Sequence, residues 1–509
     1  MNAGEKYDFL ILGSGLAGLS SAIILAKEGY SVCVLEKNRQ FGGNLQTFAR
    51  DKAVFDTGVH YIGSLDIGQN LYRYFSYLGV MNDLDLVRMD EDGFDMITFD
   101  GDPVQYPHAM GHERFVDELV KLFPESRQEL EMYIEKIKEV CESISLYTLH
   151  ESEQHDIPPE YISASAFEFI SKTITDPRLQ QVLAGSNMLY AGIKDKTTLY
   201  QHAVIVNSYI ESAWKCVDGG SQITKSLIRQ IKALGGEVFN YSEVSRLHVL
   251  DGAIEKVECT NGNVYSAGKV ISNIHPAATM SLISSGTIKE SFRARMNNLE
   301  NGIAAFSIHL VFHPQSFPYL NKNYYHHFTN DVWSSIDYTE ENWPRSIMAI
   351  VSASSRSEKY ADSMTIWTYM KYSEVEKWKD TFNIIPQHEE SRGEEYEKFK
   401  VEKTERLLNA AEKIFPGLRS QVRSVHTSTP LSYRDYINTP EGSMYGVIKD
   451  FNHPLTTFIS PKTKLSNLYF TGQNMSTHGI LGVTISAFNT CSEFIGKNEL
   501  IRKVNNSGI

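Results

Sequence analysis

The alternation of apolar and polar positions begins with a strand, a helix and a second strand. The apolar run Tyr7–Leu12 is bounded by charged residues, which predicts a short buried strand of a parallel sheet. A glycine-rich turn follows, and then an Ala-, Leu- and Ile-rich helix that extends to about Glu28. Ser31–Glu36 repeats the apolar pattern of the first strand. This succession predicts a βαβ unit.

Two further blocks with the same character occur later in the chain. Near Val217 a glycine-rich turn precedes a helix with one apolar face, and three strands are predicted over residues 237–273. The third block is predicted as a strand at Asn467–Thr471, a turn at Gly472 and an amphipathic helix over Gly479–Lys497. Because the three blocks share this pattern, we expect them to form one discontinuous α/β domain, over residues 1–99, 215–280 and 426–500.

The two stretches between these blocks differ from them in composition. Residues 100–214 and 281–425 are richer in aromatic and charged residues, with helical periodicity over 112–148 and 396–415. They predict a second, α+β domain inserted into the first, where a substrate would be chosen.

Length and charge narrow the function classes. A chain of 509 residues exceeds the roughly 100–200 residues of one ordinary domain, so at least two core-bearing units are expected. The net charge of −13 argues against nucleic acid as a partner, because binding to phosphates requires a basic face. No apolar stretch approaches the roughly 20 residues that a membrane-spanning helix needs.

The cysteines and the amino terminus predict the compartment. The five cysteines are scattered, which argues against a disulfide framework and a zinc site and indicates a reducing compartment. A signal peptide is not expected, since no basic segment is followed by a long apolar one at the amino terminus. We therefore expect a cytoplasmic protein, with at most a peripheral contact to a membrane. No metal site is expected, because Pro107 and Gly111 oppose a regular helix through His108 and His112.

A dinucleotide-binding fingerprint lies at the end of the first predicted strand. Gly13, Gly15 and Gly18 have the G-x-G-x-x-G spacing, with a strand before them and a helix after them. The glycines allow a tight turn, close approach of a pyrophosphate and packing of the helix on the strand. Glu36 ends the second strand, where a carboxylate accepts hydrogen bonds from ribose hydroxyls. The fingerprint predicts a Rossmann-type fold around a dinucleotide.

The fingerprint serves NAD and FAD alike, and later motifs separate them. Gly42-Gly43 follows Glu36, and Phe55–Gly58, Cys216–Gly220 and Asn467–Gly472 come after it in order. Together these motifs resemble the superfamily of flavin-containing amine oxidases and phytoene desaturases. The resemblance implies a glutathione-reductase-like domain that binds one FAD, with Gly42-Gly43 along the pyrophosphate and ribityl chain.

Two motifs narrow the resemblance to one branch. Phe55–Gly63 and Glu441–Gly446 are similar to the retinol saturases, sisters of the carotenoid isomerases and desaturases. This implies retinol saturase-like or phytoene desaturase-like chemistry on a carbon–carbon double bond of a hydrophobic polyene or isoprenoid lipid. Only one dinucleotide fingerprint is present, so the electron donor or acceptor is external or enters the substrate cavity, and the direction of reaction stays open.

The candidate catalytic residues follow from the requirements of hydride transfer. It needs positive potential beside the flavin ring and, for reduction, a proton donor. The helix from Gly479 and the preceding His478 are predicted to supply the potential. His60 and Tyr61 follow the motif that the superfamily places beside the ring, and an imidazole with a pKa near neutrality suits a donor better than a phenol. For His60, the role of a hydrogen-bonded wall residue is equally typical. For Tyr61, the wall role is preferred.

The site prediction comprises two sets. The predicted catalytic residues are His60, Tyr61 and His478. The predicted cofactor-binding residues are Gly13, Gly15, Leu16, Ala17, Gly18, Glu36, Lys37, Gly42, Gly43, Asn44, His60, Val244, Gly472, Gln473, Gly482 and Val483.

Two alternatives share the fold. A flavin amine oxidase is disfavoured because Thr471–Asn474 shows neither a covalent-flavin cysteine nor the aromatic pair of an amine site. A non-catalytic lipid-binding protein, similar to the Rab escort and GDP-dissociation-inhibitor group, is disfavoured by intact Glu36 and Gly42-Gly43. A colourless purified protein would favour the second alternative.

Overall fold

The computed structural model describes residues 6–153, 157–382 and 392–507. The strands of these residues, in chain order, are β1 (Lys6–Leu12), β2 (Val32–Leu35), β3 (Thr47–Arg50), β4 (Ala53–Asp56), β5 (Ile62–Gly63), β6 (Leu86–Arg88), β7 (Asp95–Phe99), β8 (Tyr106–His108), β9 (Ala213–Cys216), β10 (Glu237–Phe239), β11 (Val244–Leu250), β12 (Ala253–Cys259), β13 (Val264–Ser272), β14 (Ala304–Phe312), β15 (Asn323–His327), β16 (Ser346–Val351), β17 (Ser363–Met370), β18 (Val422–Ser428) and β19 (Leu468–Phe470).

The helices of the same residues surround two large sheets. They are α1 (Leu16–Lys27), α2 (Asn70–Leu78), α3 (His112–Val120), α4 (Arg127–Glu142), α5 (Ser145–Thr148), α6 (Pro159–Ile162), α7 (Ala166–Thr173), α8 (Pro177–Leu183), α9 (Leu199–Glu211), α10 (Ser221–Ala233), α11 (Pro276–Ser281), α12 (Glu290–Asn297), α13 (Glu394–Ile414), α14 (Leu418–Gln421), α15 (Pro430–Ile437), α16 (Pro454–Thr457), α17 (Gly479–Ile495) and α18 (Lys497–Ser507). None of these described helices is long and apolar enough to cross a bilayer.

The first sheet is the predicted dinucleotide-binding sheet. Its order is β10-β2-β1-β13-β12-β11, and β19 also pairs with β13. β1 runs parallel to β2 and β13, and β13 runs parallel to β19. The last residues of these four strands, Leu12, Leu35, Ser272 and Phe470, are in register. The chain therefore leaves four parallel strands at one edge, where ligands of such sheets bind.

Helix α1 is buried next to this edge of the sheet. Its residues from Leu16 to Ala26 are all buried, so it packs within the domain rather than on its surface. α1 lies between α10 and α17, the helices of the second and third blocks. The three blocks thus share one core, which is why segments distant in sequence fold together.

The second sheet is built mainly from the inserted stretches. Its order is β18-β14-β17-β16-β15-β7-β8, antiparallel except for the parallel pair β7 and β15. Every residue of β14, β16 and β17 is buried, because both faces of these strands are covered. β7 starts at Asp95 and β18 ends at Ser428, so this sheet extends past the predicted boundaries after residues 99 and 425. The predicted class is confirmed: an α/β dinucleotide-binding fold with a second α+β unit.

Candidate active site

One cavity of about 540 Å³ joins the two sheets. At one end, called here the fingerprint end, it is lined by Gly13, Gly15 and Glu36 at the carboxyl edge of the first sheet. At the other, called the aromatic end, it is lined by Tyr61 and by four further aromatic residues, Tyr209, Trp367, Tyr433 and Tyr445. A volume of several hundred Å³ is usual for cofactor and substrate sites.

The glycines of the fingerprint hold the turn between β1 and α1 tightly against its neighbours. The Gly13 N–H donates to the Leu35 carbonyl at 2.8 Å, which ties the turn to β2. A Cβ on Gly18 would lie 2.2 Å from the Gly13 carbonyl oxygen, closer than any real Cβ contact. Only glycine lets α1 approach the strand this closely.

Glu36 faces the fingerprint end and is 7% exposed. Its Oε2 accepts from the Ser14 hydroxyl at 2.6 Å and from the Ser14 N–H at 3.1 Å, and its Oε1 accepts from the Asn38 N–H at 2.8 Å. These three donors fix the carboxylate at the end of β2. Beside it, burial lowers the pKa of Lys37, while the carboxylates of Glu243 and Glu36 oppose the change.

The residues at the fingerprint end fit a dinucleotide. Gly15 offers no side-chain cap to α1, and the Asn273 side chain accepts from the N–H groups of Gly15 and Gly18, so the N–H groups of Leu16 and Ala17 remain available to an anion. A Cβ on Gly43 would lie 3.4 Å from the Gly15 Cα, so the two glycines form a narrow backbone cradle. Such a cradle, with a carboxylate at the next strand, is what a pyrophosphate and a ribose require.

The aromatic end has no acidic side chain among its described lining residues. The lining carboxylates are those of Glu36 and Glu243, and both lie at the fingerprint end. Met348 of β16 and Trp367 of β17 are register partners, so both side chains point to the same face of the second sheet. Leu189 and Met444 complete an apolar wall. This end suits an uncharged, flat, hydrophobic molecule.

His60 lies on the cavity wall and makes no side-chain hydrogen bond with the described residues. Burial, and secondarily the Lys215 charge, lowers the pKa of His60 to about 4. The predicted pKa near neutrality is therefore wrong. His60 is a neutral imidazole at pH 7, because burial and the Lys215 charge both disfavour its cationic form.

Tyr61 lies next to His60 and stacks on Tyr209 with ring centroids 4.3 Å apart. Its hydroxyl donates to Asp95 Oδ2 at 2.8 Å and lies 2.7 Å from the Tyr325 hydroxyl. Burial raises the pKa of Tyr61, and the Asp95 charge raises it further. Tyr61 thus holds its proton firmly and has polar partners behind the wall.

His478 precedes α17 and stacks on Tyr445 at a centroid distance of 4.3 Å. Its Nε2 donates to the Leu189 carbonyl at 2.9 Å. Burial lowers the pKa of His478 to about 4, so the positive charge predicted for it is wrong. The N-terminus of α17 is left as the source of positive potential, since Gly479, Ile480 and Val483 line the cavity.

The structure brings most predicted binding residues to the cavity. The predicted residues that line it are Gly13, Gly15, Leu16, Glu36, Lys37, Gly42, Gly43, Asn44, His60, Tyr61, Val244, Gln473, His478 and Val483. Ala17, Gly18, Gly472 and Gly482 do not line it. Gly482 packs against Thr477, where a Cβ would lie 2.4 Å from the threonine Cγ2. Gly482 therefore allows a close approach to Thr477 of the protein, and not to a ligand in the cavity.

Several residues that line the cavity were not predicted from the sequence. Ser14, Asn273 and Asn474 line the fingerprint and central parts of the cavity. Asn273 follows the last residue of β13, and a polar residue at the end of a parallel strand was a usable signal. Trp367 and Met348 gave none, because an aromatic or apolar residue inside a buried strand is typical of any core.

Comparisons with known proteins agree with this geometry. Residues 11–78 match the family model of the NAD(P)-binding Rossmann-like domain. An all-trans-retinol 13,14-reductase of Rattus norvegicus is 27% identical, covering 97% of this chain and 86% of that protein. Prolycopene isomerase 2 of an Oncidium hybrid cultivar is 23% identical, covering 95% of this chain and 82% of that protein.

A solved structure shows the same fold. Putrescine oxidase bound to putrescine superposes with a TM-score of 0.63 at 15% identity, covering 96% of this chain and 99% of that one. This likeness concerns the fold alone. The two sequence relatives confirm the predicted resemblance to the superfamily of flavin-containing amine oxidases and phytoene desaturases and, within it, to the retinol saturases and carotenoid isomerases, and the chain is an oxidoreductase.

Proposed function

We propose that this protein is an FAD-dependent oxidoreductase that acts on a carbon–carbon double bond of a hydrophobic polyene. The observation that carries the proposal is the single cavity, which runs from a dinucleotide cradle to an uncharged aromatic end. The retinol reductase and the carotenoid isomerase among its relatives have polyenes as substrates by name.

FAD is assigned to the fingerprint end. Glu36 would accept hydrogen bonds from its ribose, the cradle of Gly15 and Gly43 would hold the pyrophosphate, and Val244 would contact the adenine. Gln473 and the N-terminus of α17 would contact the ring, with the helix dipole favouring negative charge there. When bound, FAD supplies hydride transfer.

The aromatic end is assigned to the substrate. Trp367, Tyr433 and Tyr445 offer flat faces to a conjugated chain, and burial of such a chain gains roughly 25 cal/mol per Å² of apolar surface. A fixed polyene lying over the ring edge is what hydride transfer to carbon requires. Because polyenes are lipids, we infer that substrate enters from a membrane surface.

Product analysis tests the proposal. The flavin-loaded protein, reduced anaerobically, is incubated with all-trans-retinol, and the extract is examined by mass spectrometry. A product heavier by two hydrogens is expected, and running the reaction in D₂O should place deuterium on the carbon that takes up the proton. A molecule recovered unchanged, from this and from carotenoid substrates, would contradict the proposal. Matched incubation of the oxidised protein separates reduction from isomerisation.

An amine oxidase is the second candidate, and only the shared fold favours it. An ammonium substrate would find no carboxylate among the described residues at the aromatic end, since Glu36 and Glu243 lie at the other. Putrescine added to the oxidised protein is therefore expected to leave the flavin spectrum unchanged. Bleaching of the flavin by putrescine would reverse this preference.

A further inference from the structure

A buried hydrogen-bonded trio lies behind the aromatic end of the cavity. Asp95 is 1% exposed and Tyr325 is fully buried. The Tyr61 hydroxyl contacts Asp95 Oδ2 at 2.8 Å and the Tyr325 hydroxyl at 2.7 Å, and Asn323 Nδ2 donates to the other Asp95 oxygen at 2.9 Å. Of Asp95, Tyr61 and Tyr325, only Tyr61 lines the cavity.

The number of protons in the trio depends on Asp95. When Asp95 is ionised, the two phenols supply one proton to each of the two contacts, and both are engaged. When Asp95 is protonated, three protons serve the same two contacts. The carboxyl group and Tyr325 then donate to the Tyr61 oxygen, and the Tyr61 proton is held by neither partner. Protonation of Asp95 therefore releases a donor at the cavity wall.

The surroundings of Asp95 favour its protonated form near neutrality. Burial raises the pKa of Asp95 to about 7, against the hydrogen bonds from Tyr61 and Asn323 and the charge of Lys215. Lys215 of β9 donates to the Leu320 and Val351 carbonyls, and burial lowers its pKa to about 7. The titratable groups that face Asp95 or pair with it are Tyr61, Tyr325, Lys215, Tyr209 of α9 and, on the adjacent β8, His108, whose ring contacts the Val182 carbonyl.

We propose that Tyr61 delivers the proton that completes reduction of the double bond, and that Asp95 is the buried reservoir that restores it. The proposal rests on the proposed function. With reduced FAD bound, the flavin would supply a hydride to one carbon of the double bond, and the neighbouring carbon would take the proton of the Tyr61 hydroxyl. The Asp95 carboxyl proton then passes to the Tyr61 oxygen, and the carboxylate left beside Lys215 regains a proton from solvent. Tyr61 is a catalytic residue here, and Asp95 acts through it.

The first test does not depend on the reaction. Infrared difference spectra recorded from about pH 5 to about pH 9 are expected to show a protonated carboxyl band that titrates near pH 7 and is absent from Asp95→Asn. Asp56→Asn is the matched control, because burial also raises the pKa of Asp56 to about 7 and its own band must be subtracted. The absence of an Asp95-dependent protonated band throughout this range, as expected of a carboxyl that titrates near the ordinary value of about 4, would overturn the role of Asp95 as a reservoir.

The second test uses the reduced, flavin-matched protein with all-trans-retinol. Tyr61→Phe should slow formation of the saturated product by about 10²–10⁴-fold, and Asp95→Asn by about tenfold or more with loss of the pH dependence near 7. Tyr209→Phe, which keeps the trio intact, should retain that pH dependence. Full rates with the same pH profile in Tyr61→Phe and Asp95→Asn would overturn the proposed proton transfer from Asp95 through Tyr61, and would leave the proposed function standing. A wild-type protein that forms no saturated product would overturn the function, and the relay with it, whatever the infrared spectra show.

Discussion

Glu36 shows how one side chain is positioned to bind the proposed cofactor. Its carboxylate is held by Ser14 and Asn38 and faces the cavity. Glu36→Arg should remove most of the bound FAD, because a cation replaces the acceptor that the ribose needs and meets the nearby Lys37. Flavin content of the purified variant, from absorbance after denaturation, measures this.

A control separates loss of ligand from loss of fold. Glu243→Arg reverses the charge of the other lining carboxylate, which has no hydrogen bond to the fingerprint turn among the described residues, and it should keep more flavin than Glu36→Arg. Full occupancy in Glu36→Arg would remove the basis of the fingerprint assignment.

The two candidate proton donors impose opposite pH dependences. If Asp95 supplies Tyr61, the active form is protonated below a pKa of about 7, so the rate is level at lower pH and falls as pH rises through 7. If His60 is the donor, its protonated form exists only near its pKa of about 4, so the rate climbs as pH falls from 7. We expect the first profile in single-turnover measurements.

His60 variants complete that comparison. His60→Gln keeps a polar wall and should retain the fall above pH 7, with less than about tenfold loss of rate, because a neutral imidazole delivers no proton at pH 7. A loss of about 10²–10⁴-fold together with a rate that climbs toward pH 4 would return the role to His60.

At the scale of elements, the contact between β1 and α1 carries the fingerprint. Gly18→Ala places a Cβ 2.2 Å from the Gly13 carbonyl oxygen, and α1 is buried along its length and has no room to retreat. Overpacking of this kind typically costs about 1–3 kcal/mol, so both Tm and flavin content should fall. Gly29→Ala is the control for flavin content alone, since its Cβ meets no atom within 4 Å while its positive φ of 84° lowers stability by itself. That variant should keep its flavin, and equal flavin contents would count against a rigid β1–α1 contact.

Elements defined by local pattern were predictable from the sequence, and contacts between distant elements were not. The βαβ unit, the turns at Asp251-Gly252 and Asn261-Gly262, and the helix from Gly479 follow from short-range spacing and glycine chemistry. The stretch 237–273 contains four strands rather than the three predicted, because the prediction treated the short β10 and the neighbouring β11 as one strand.

The trio behind the cavity wall had no sequence signal. Tyr61 and Asp95 lie 34 positions apart, and Tyr61 and Tyr325 lie 264 apart, so no local pattern links them. The near-neutral pKa predicted for His60 and the positive charge predicted for His478 were wrong for the same reason. Burial is set by the packing of both domains, and burial is the largest cause of each shift.

At the scale of the whole molecule, the cavity is built from both sheets, so its ligand should stabilise both. A ligand at about 100 times its Kd adds about 2.7 kcal/mol to the free energy of unfolding. FAD added to the flavin-free protein should therefore raise Tm in one cooperative transition, and AMP, which fills only the adenosine part, should raise it less. Thermal unfolding followed by circular dichroism measures this, and a Tm unaffected by FAD would contradict the assigned site.

Transfer of electrons from the flavin to a polyene is the central claim, and rapid-mixing spectroscopy tests it most directly. The flavin-loaded protein is reduced anaerobically and mixed with all-trans-retinol, and the flavin and polyene absorbances are followed together. The account predicts that the oxidised flavin spectrum returns while the polyene absorbance is lost, one flavin for each double bond reduced. A flavin that stays reduced with retinol and carotenoids alike, in a protein that holds one FAD, would contradict it.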